Sequence, residues 1–293
     1  MNATRLNGVQ ILLSFGEDVK PASLATILLL TACIVMSTIR PTNFEASLVS
    51  HRFFISPNWI TPPTVNLSGE TARQIKTVLR MNPGDEIVVL DNSGTEWRVR
   101  LTAVGKNEMR GEIVAQQLAR GEPALNLTLY QGTLKGQKFE WVLQKGTELG
   151  VACFVPTICQ RSVVRRVADL EKKRARWEQI IREAAEQCGR GKLPVLAPPI
   201  WLTDALIHAQ PANLILMPWE EAGGVSLKDV LRTAKPTGIA LFIGPEGGFT
   251  SEETALAQQA QAQLITLGPR ILRAETAGLA AIAAIMHELG EWG

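Results

Sequence analysis

The hydrophobic pattern changes period once along this chain, and that change divides it. From His51 to about Glu122, apolar and polar residues alternate. "EIVVLDNSGTEWRVRLTAV" reads as strand, turn and strand, with Asn92-Ser93-Gly94 in the turn, and "MRGEIVAQQL" reads as a third strand. Gly121-Glu122-Pro123 has a linker's composition, and beyond it short apolar runs alternate with helical patterns. The strand candidates are "LNLTLYQGT", "VACFVPTIC", "NLILMPW", "GIALFIGP" and "QLITLG". Between them, "QKFEWVLQKGTELG" places Phe139, Val142, Leu143 and Leu149 on one helical face, with Gly150 as its stop. "DLEKKRARWEQIIREAAEQCGR" predicts an amphipathic helix carrying Trp177, Ile180, Ile181, Ala184, Ala185 and Cys188 at spacings of three and four. Trp141 and Trp177 lie near these apolar faces and are expected in the core. Wholly apolar strands separated by helices form a parallel sheet covered on both faces. The expected organisation is a β-rich domain over 49–122 followed by an α/β domain over 123–293.

At 293 residues and 46% hydrophobic, the chain is long enough to bury two such cores. Its formal charge of +2 names no partner, so a nucleic-acid reading must rest on local clustering. The four cysteines form no CxxC pair and the three histidines stand far apart. Neither a metal site nor a disulfide framework is expected, and the thiols suit a reducing cytoplasm. Residues 1–48 are set aside as an N-terminal extension. Its apolar stretch 24–39 has the hydropathy of a short membrane span or signal-peptide core, but Glu17 and Asp18 precede it where a positive region belongs. The extension is therefore read as incidental to the fold, with a membrane tether as the rival.

Two loops concentrate the chemistry. "GPEGGFTSEE", Gly244 to Glu253, leaves the "GIALFIG" strand and meets a helix start with capping-box spacing from Thr250 to Glu253. Glycine there lets a ligand approach the main chain at the carboxyl edge of a parallel sheet. The loop is neither GxGxxG nor a P-loop, which disfavours a dinucleotide or nucleoside triphosphate. "LGPRILRAETA", Leu267 to Ala277, leaves a second strand in the same manner and presents Arg270, Arg273 and Glu275, and "LMPWEEAGG" ends a third. A basic cluster lies between Arg161 and Arg176: Arg161, Arg165, Arg166, Lys172, Lys173, Arg174 and Arg176 against only Asp169 and Glu171. Such a run is either a solvated helix face or a phosphate-binding surface.

"IGPEGGFTSEE", "LGPRILRAETA", "KFEWVLQKGTELGV" and "RWEQIIREAAEQCGRGKLP", with the "HRFF" and "VLRMNPGD" of the first domain, resemble the 16S ribosomal RNA (uracil-N3) methyltransferases of the SPOUT superfamily. The resemblance runs from about His51 to the C-terminus. It implies an N-terminal PUA-like β-barrel, an α/β domain with a C-terminal trefoil knot, a homodimer, S-adenosyl-L-methionine as methyl donor, and 16S rRNA or the small ribosomal subunit as partner, without metal. By the same match, donor binding falls on Leu216, Met217, Gly244, Glu246, Gly248, Leu267, Gly268, Ile271 and Leu272. The N-terminal extension departs from the pattern and bears on localisation.

Uracil N3 carries an imide proton, so its methylation calls for a base or for a cation that stabilises the developing anion. Arg273 is expected to stabilise that anion or grip a phosphate. Glu275 is expected to orient Arg273 or take the proton; its alternative is a carboxylate that serves only the following helix. Arg161, Arg165, Arg166, Lys172 and Lys173 are the expected RNA contacts, with Arg52 and Arg80 adding to them from the first domain. The alternatives are a SPOUT methyltransferase acting on another RNA or atom, and a non-catalytic ribosome-assembly factor.

Overall fold

The computed structural model describes residues 51–220 and 225–292, together with a short antiparallel ladder of Arg5–Leu6 with Val9–Gln10. The chain divides into two compact units, Met1–Glu45 and Ala46–Gly293. The apolar stretch 24–39, Cys33 and the glycines of "EEAGG" lie outside the described residues. Among the described residues, no helix is long and apolar enough to cross a membrane.

Residues 52–118 form a six-stranded sheet in the order Arg52–Phe54, Glu86–Leu90, Thr95–Val104, Glu108–Leu118, Thr64–Ser68, Ile60–Thr61. Neighbours are antiparallel except the first pair. Alternation sends Ile87, Val89, Trp97, Val99 and Leu101 into one core with Val65 and Leu67. Among the described residues no ladder joins the two end strands, so the sheet is hydrogen-bonded as a half-barrel. The predicted turn is sharp, with Asn92 and Gly94 both at positive φ (68° and 95°).

Residues 126–265 build a seven-stranded, wholly parallel sheet. Its main order is Val195–Leu196, Cys153–Ile158, Asn126–Gly132, Gly238–Ile243, Leu214–Pro218, Gln263–Ile265; Ile200–Trp201 also pairs with Cys153–Ile158. Both faces are buried, which is why the strands read as unbroken apolar runs. On one face Leu127, Leu129, Leu216 and Leu241 meet helices Lys138–Glu148, Arg174–Cys188 and Ala274–Glu288; on the other Tyr130, Met217 and Phe242 meet Leu202–His208.

Two local expectations change. The amphipathic helix starts at Arg174, and the residues before it form a separate turn of helix, Val167–Glu171. Trp177 is buried as expected, but Trp141 is 52% exposed with the Lys145 ammonium 5.2 Å from its ring centroid. It lies two residues from Phe139 and one from Val142, outside the arc those two bury.

The two sheets are tied through helix Arg174–Cys188 and through Leu193, whose N–H donates to Asn92 Oδ1 at 2.7 Å. Phe54 N–H donates to Glu186 at 2.9 Å and its carbonyl accepts from Arg182 at 3.0 Å, so helix Arg174–Cys188 covers the edge strand Arg52–Phe54. The junction is no loose linker: Glu122 accepts from the Arg190 guanidinium (3.0 and 3.2 Å) and from the N–H groups of Gly191 and Lys192.

Candidate active site

In a doubly covered parallel sheet, ligands bind beyond the carboxyl ends of the strands, where the strand order reverses. Here that point is the neighbourhood of Asn126–Gly132 and Gly238–Ile243. The loop after Gly238–Ile243 turns through Gly248 (φ 70°) into helix Ser251–Gln259. The capping box forms as predicted: Thr250 Oγ1 accepts from Glu253 N–H at 3.2 Å, and Glu253 returns a carboxylate oxygen to Thr250 N–H at 2.9 Å. The other Glu253 oxygen accepts from Gln160 N–H at 2.8 Å, which fixes the exit of strand Cys153–Ile158, two places along the sheet, against the same helix.

The loop presses directly on Gly132. A Cβ there would stand 2.5 Å from Pro245 N and 2.7 Å from the Gly244 carbonyl carbon, closer than atoms can approach. Arg161 donates to Gly247 O at 2.8 Å and lies along that residue. The second loop, 266–273, turns at Gly268 (φ 102°), whose N–H donates to Thr266 Oγ1 at 3.1 Å, and ends on Arg273, the exposed residue before helix Ala274–Glu288. With Pro218, Trp219 and Glu220 from the third strand end, these loops enclose a cleft of about 890 Å³. A Cβ built on Gly248 or Gly268 would meet nothing within 4 Å, so the main chain there is open to a ligand.

Of the residues singled out for donor binding, Gly244, Glu246, Gly248, Leu267, Gly268, Ile271 and Leu272 all line the cleft. Leu216 and Met217 do not. Both are fully buried inside the sheet, and on their strand only the last residue, Pro218, and those after it reach the rim. Arg273 lines the cleft, and Glu275 stands behind it in the first helical turn. Among the described residues no ion pair links Arg273 to Glu275. Its partner is Lys138, whose Nζ is 3.3 Å from Glu275 Oε1 and 3.5 Å from Glu246 Oε1. Nothing local in the sequence marks Lys138, because both partners come from far along the chain.

The RNA-contact candidates fare unevenly. Arg52 is spent inside the protein, paired through both terminal nitrogens with Glu96, whose side chain is 2% exposed. Arg161 braces the glycine loop, and Arg165 donates to the carbonyls of Gln160 and Ser162. Arg166 and Lys172 share Asp169 at 3.7 and 2.9 Å. Arg174 pairs with Glu171 and Glu178, and Arg176 with Glu140. Folding thus supplies acids that the local count of charges omitted. Arg80 is exposed at a left-handed position (φ 56°), and Lys173 is half-buried.

The electrostatics of the cleft follow from these contacts. Burial pushes the Glu246 carboxyl up, but the Lys135 N–H at 3.0 Å, its own N–H and the Lys138 ammonium together hold it below the usual carboxylate range. Burial raises Cys153 to about 11 and Cys159 further, so neither is a thiolate near neutral pH. Among the described residues no group of His, Cys, Asp and Glu could hold a metal ion.

Residues 121–286 match the family described as RNA methyltransferase domain, and residues 67–114 match RNA methyltransferase PUA domain. The chain is 35% identical over 232 residues to the Ribosomal RNA small subunit methyltransferase E of Bacillus subtilis, covering 77% of this chain and 91% of that protein. With the Synechocystis protein of the same name, identity is 33% over 260 residues, 87% of this chain and 84% of the relative. The crystal structure of a Ribosomal RNA small subunit methyltransferase E from Neisseria gonorrhoeae bound to S-adenosyl methionine superposes with a TM-score of 0.75 at 36% identity, over 82% of this chain and 98% of that one. A match over more than half the chain, and relatives this similar over nearly their whole length, establish that the chain belongs to the ribosomal RNA small subunit methyltransferase E family.

Proposed function

We propose that this protein methylates N3 of one uridine in 16S ribosomal RNA during maturation of the small subunit. S-adenosylmethionine-dependent methylation of ribosomal RNA is the activity of its family; the atom and the base are the finer reading. The observation that supports it best is the cleft itself. Two glycine turns leave main chain bare beside Ile271, which is 85% exposed, and the volume is that of a small-molecule site. These features suit an adenosine-sized ligand with a charged tail, so the residues present fit the donor. Gly244, Gly248 and Gly268 would hold it through main-chain groups, and Leu267, Ile271 and Leu272 would cover its apolar parts. When bound, S-adenosylmethionine supplies an electrophilic methyl group.

What remains for the chain is to place the nucleophile and manage its charge. Arg273, exposed at the cleft mouth, is assigned to stabilise the uracil anion, a type of contact worth roughly 10²–10³ in rate. Glu275 is assigned as the acceptor of the imide proton, held by Lys138. Arg80, Lys173 and Arg270, which have no acidic partner among the described residues, are assigned to RNA phosphate. The remaining parts of the proposal are a domain boundary at 122/123, a trefoil knot formed where residues 266–273 return beside the Gly244–Phe249 loop, a cytoplasmic location, and a homodimer. Helix Ala274–Glu288 buries Ala281, Ile282, Ile285 and Met286 against its own sheet, so a dimer must use other surface; sedimentation should give twice the 31.9 kDa chain mass.

The test is methylation of small subunits lacking the modification, with labelled donor, nuclease digestion and mass spectrometry of the nucleosides. 3-Methyluridine is the expected product, and label in another nucleoside overturns the assignment of atom and base. Arg273→Ala should lose roughly 10²-fold or more in kcat with an unchanged melting temperature; full activity in that variant removes Arg273 from the mechanism.

A further inference from the structure

Lys138 reaches a carboxylate whose parent strand stands three places from its own. It opens the helix that follows Asn126–Gly132, whereas Glu275 lies in the helix that follows Gln263–Ile265. Gly238–Ile243 and Leu214–Pro218 lie between those strands, which puts their ends about 14 Å apart at the usual strand spacing. The second loop spans that gap and delivers Glu275 Oε1 to within 3.3 Å of the Lys138 ammonium. The same ammonium is 3.5 Å from Glu246 Oε1, at the tip of the first loop. Glu246 is anchored a second time by Lys135 N–H, on the same segment as Lys138.

The exposures separate this contact from an ordinary surface pair. Lys138 is 37% exposed and lines the cleft, Glu246 is 28% exposed, and Glu275 is 15% exposed with its second oxygen, Oε2, buried and without a hydrogen-bond partner. A carboxylate so far removed from water depends on the one cation it has. Arg161 braces the first loop alone, through Gly247 O. Lys138 touches both.

We propose, building on the methyltransferase reading, that Lys138 is a positioning residue that locks the two glycine loops into one clamp. A donor seated against the Gly244–Phe249 loop then steadies, through Lys138, the position of Glu275 and the adjoining Arg273. The coupling runs through two ion pairs on one ammonium, and breaking either should loosen both loops.

The experiment compares Lys138→Met, Lys138→Arg and Glu246→Gln with the wild-type chain. Donor affinity is read by calorimetry, kcat and KM on unmodified small subunits, and folding by thermal melts. Lys138→Met should lower kcat about tenfold or more while KM for the subunit stays within about twofold, and should weaken donor binding several-fold. Lys138→Arg should restore most of the kcat. Glu246→Gln cuts the same link from the other side, so its effect on donor affinity and that of Lys138→Met should fall well short of multiplying in the double variant. Wild-type kcat and donor affinity in Lys138→Met overturn the proposal, as do fully multiplicative effects. If Lys138→Met melts early, Glu246→Gln decides alone: reduced kcat supports the clamp and unchanged kcat overturns it. Failure of the wild-type protein to form 3-methyluridine would count against the functional reading instead, since donor affinities are measured without turnover.

Discussion

Tyr130 is the only tyrosine in the chain, which makes one buried contact separately observable. Its ring stacks on Phe242 at 4.3 Å and its hydroxyl lies 2.6 Å from His208 Nδ1. Burial, with a smaller contribution from Cys153, raises its pKa to about 12. The folded value exceeds the unfolded one near 10, so the fold favours the neutral phenol. Its contribution to stability is complete below pH 10 and is lost as pH rises from 10 to 12. Tyrosinate absorbance should titrate near pH 12 in native protein and near 10 in denaturant; a native midpoint near 10 would show the hydroxyl to be in water. At Gly132 the constraint is steric. Gly132→Ala forces backbone against backbone, and we expect a loss of about 1–3 kcal/mol in stability with weakened donor binding, read by melts and calorimetry. Gly132 gave no sign in the sequence, and Lys138, although it opens the quoted "KFEWVLQKGTELGV", gave none of its role, because what meets each of them arrives from a loop more than a hundred residues away. Gly244, Gly248 and Gly268 were legible because each stands where a strand runs out.

The helix after the first glycine loop is the element whose local grammar was complete. Thr250→Ala removes the acceptor for Glu253 N–H and should cost about 1 kcal/mol, measured as a shift in the denaturant midpoint at constant slope. Strand positions were legible for the same kind of reason: apolar runs of four to six residues between turn signals need no knowledge of their neighbours. Helix limits in the basic segment were less so. Periodicity ran back through Asp169 and Leu170, but Val167–Glu171 folds as its own turn with Leu170 buried, ahead of the helix that starts at Arg174. Charge was the least legible property of all. A count along the segment finds too few acids for its arginines and lysines, whereas Glu178 one turn along the same helix takes Arg174 and Glu140 from the packed neighbouring helix takes Arg176.

The whole described unit is held at a junction that composition presented as a linker. Arg190 is 3% exposed and donates to the carbonyls of Thr147 and Val151 as well as to Glu122, so one guanidinium pins the connecting segment to the α/β unit. Arg190→Ala takes the guanidinium from Glu122, which keeps only the Gly191 and Lys192 N–H groups, and leaves the Val151 carbonyl without its donor; a loss of about 3–5 kcal/mol is expected, read as an earlier melt in calorimetry. A parallel α/β sheet was foreseeable, but its order was not, since pattern says which residues form strands and not which strands are neighbours. That order also governs time. The central strand, Asn126–Gly132, cannot find its partner Gly238–Ile243 until everything between them has been folded out of the way. Contacts of such long sequence range close late and slowly. The cleft, assembled wholly from these distant returns, should therefore be the last part of the molecule to mature after dilution from denaturant, and the ability to bind a methyl donor the last property regained.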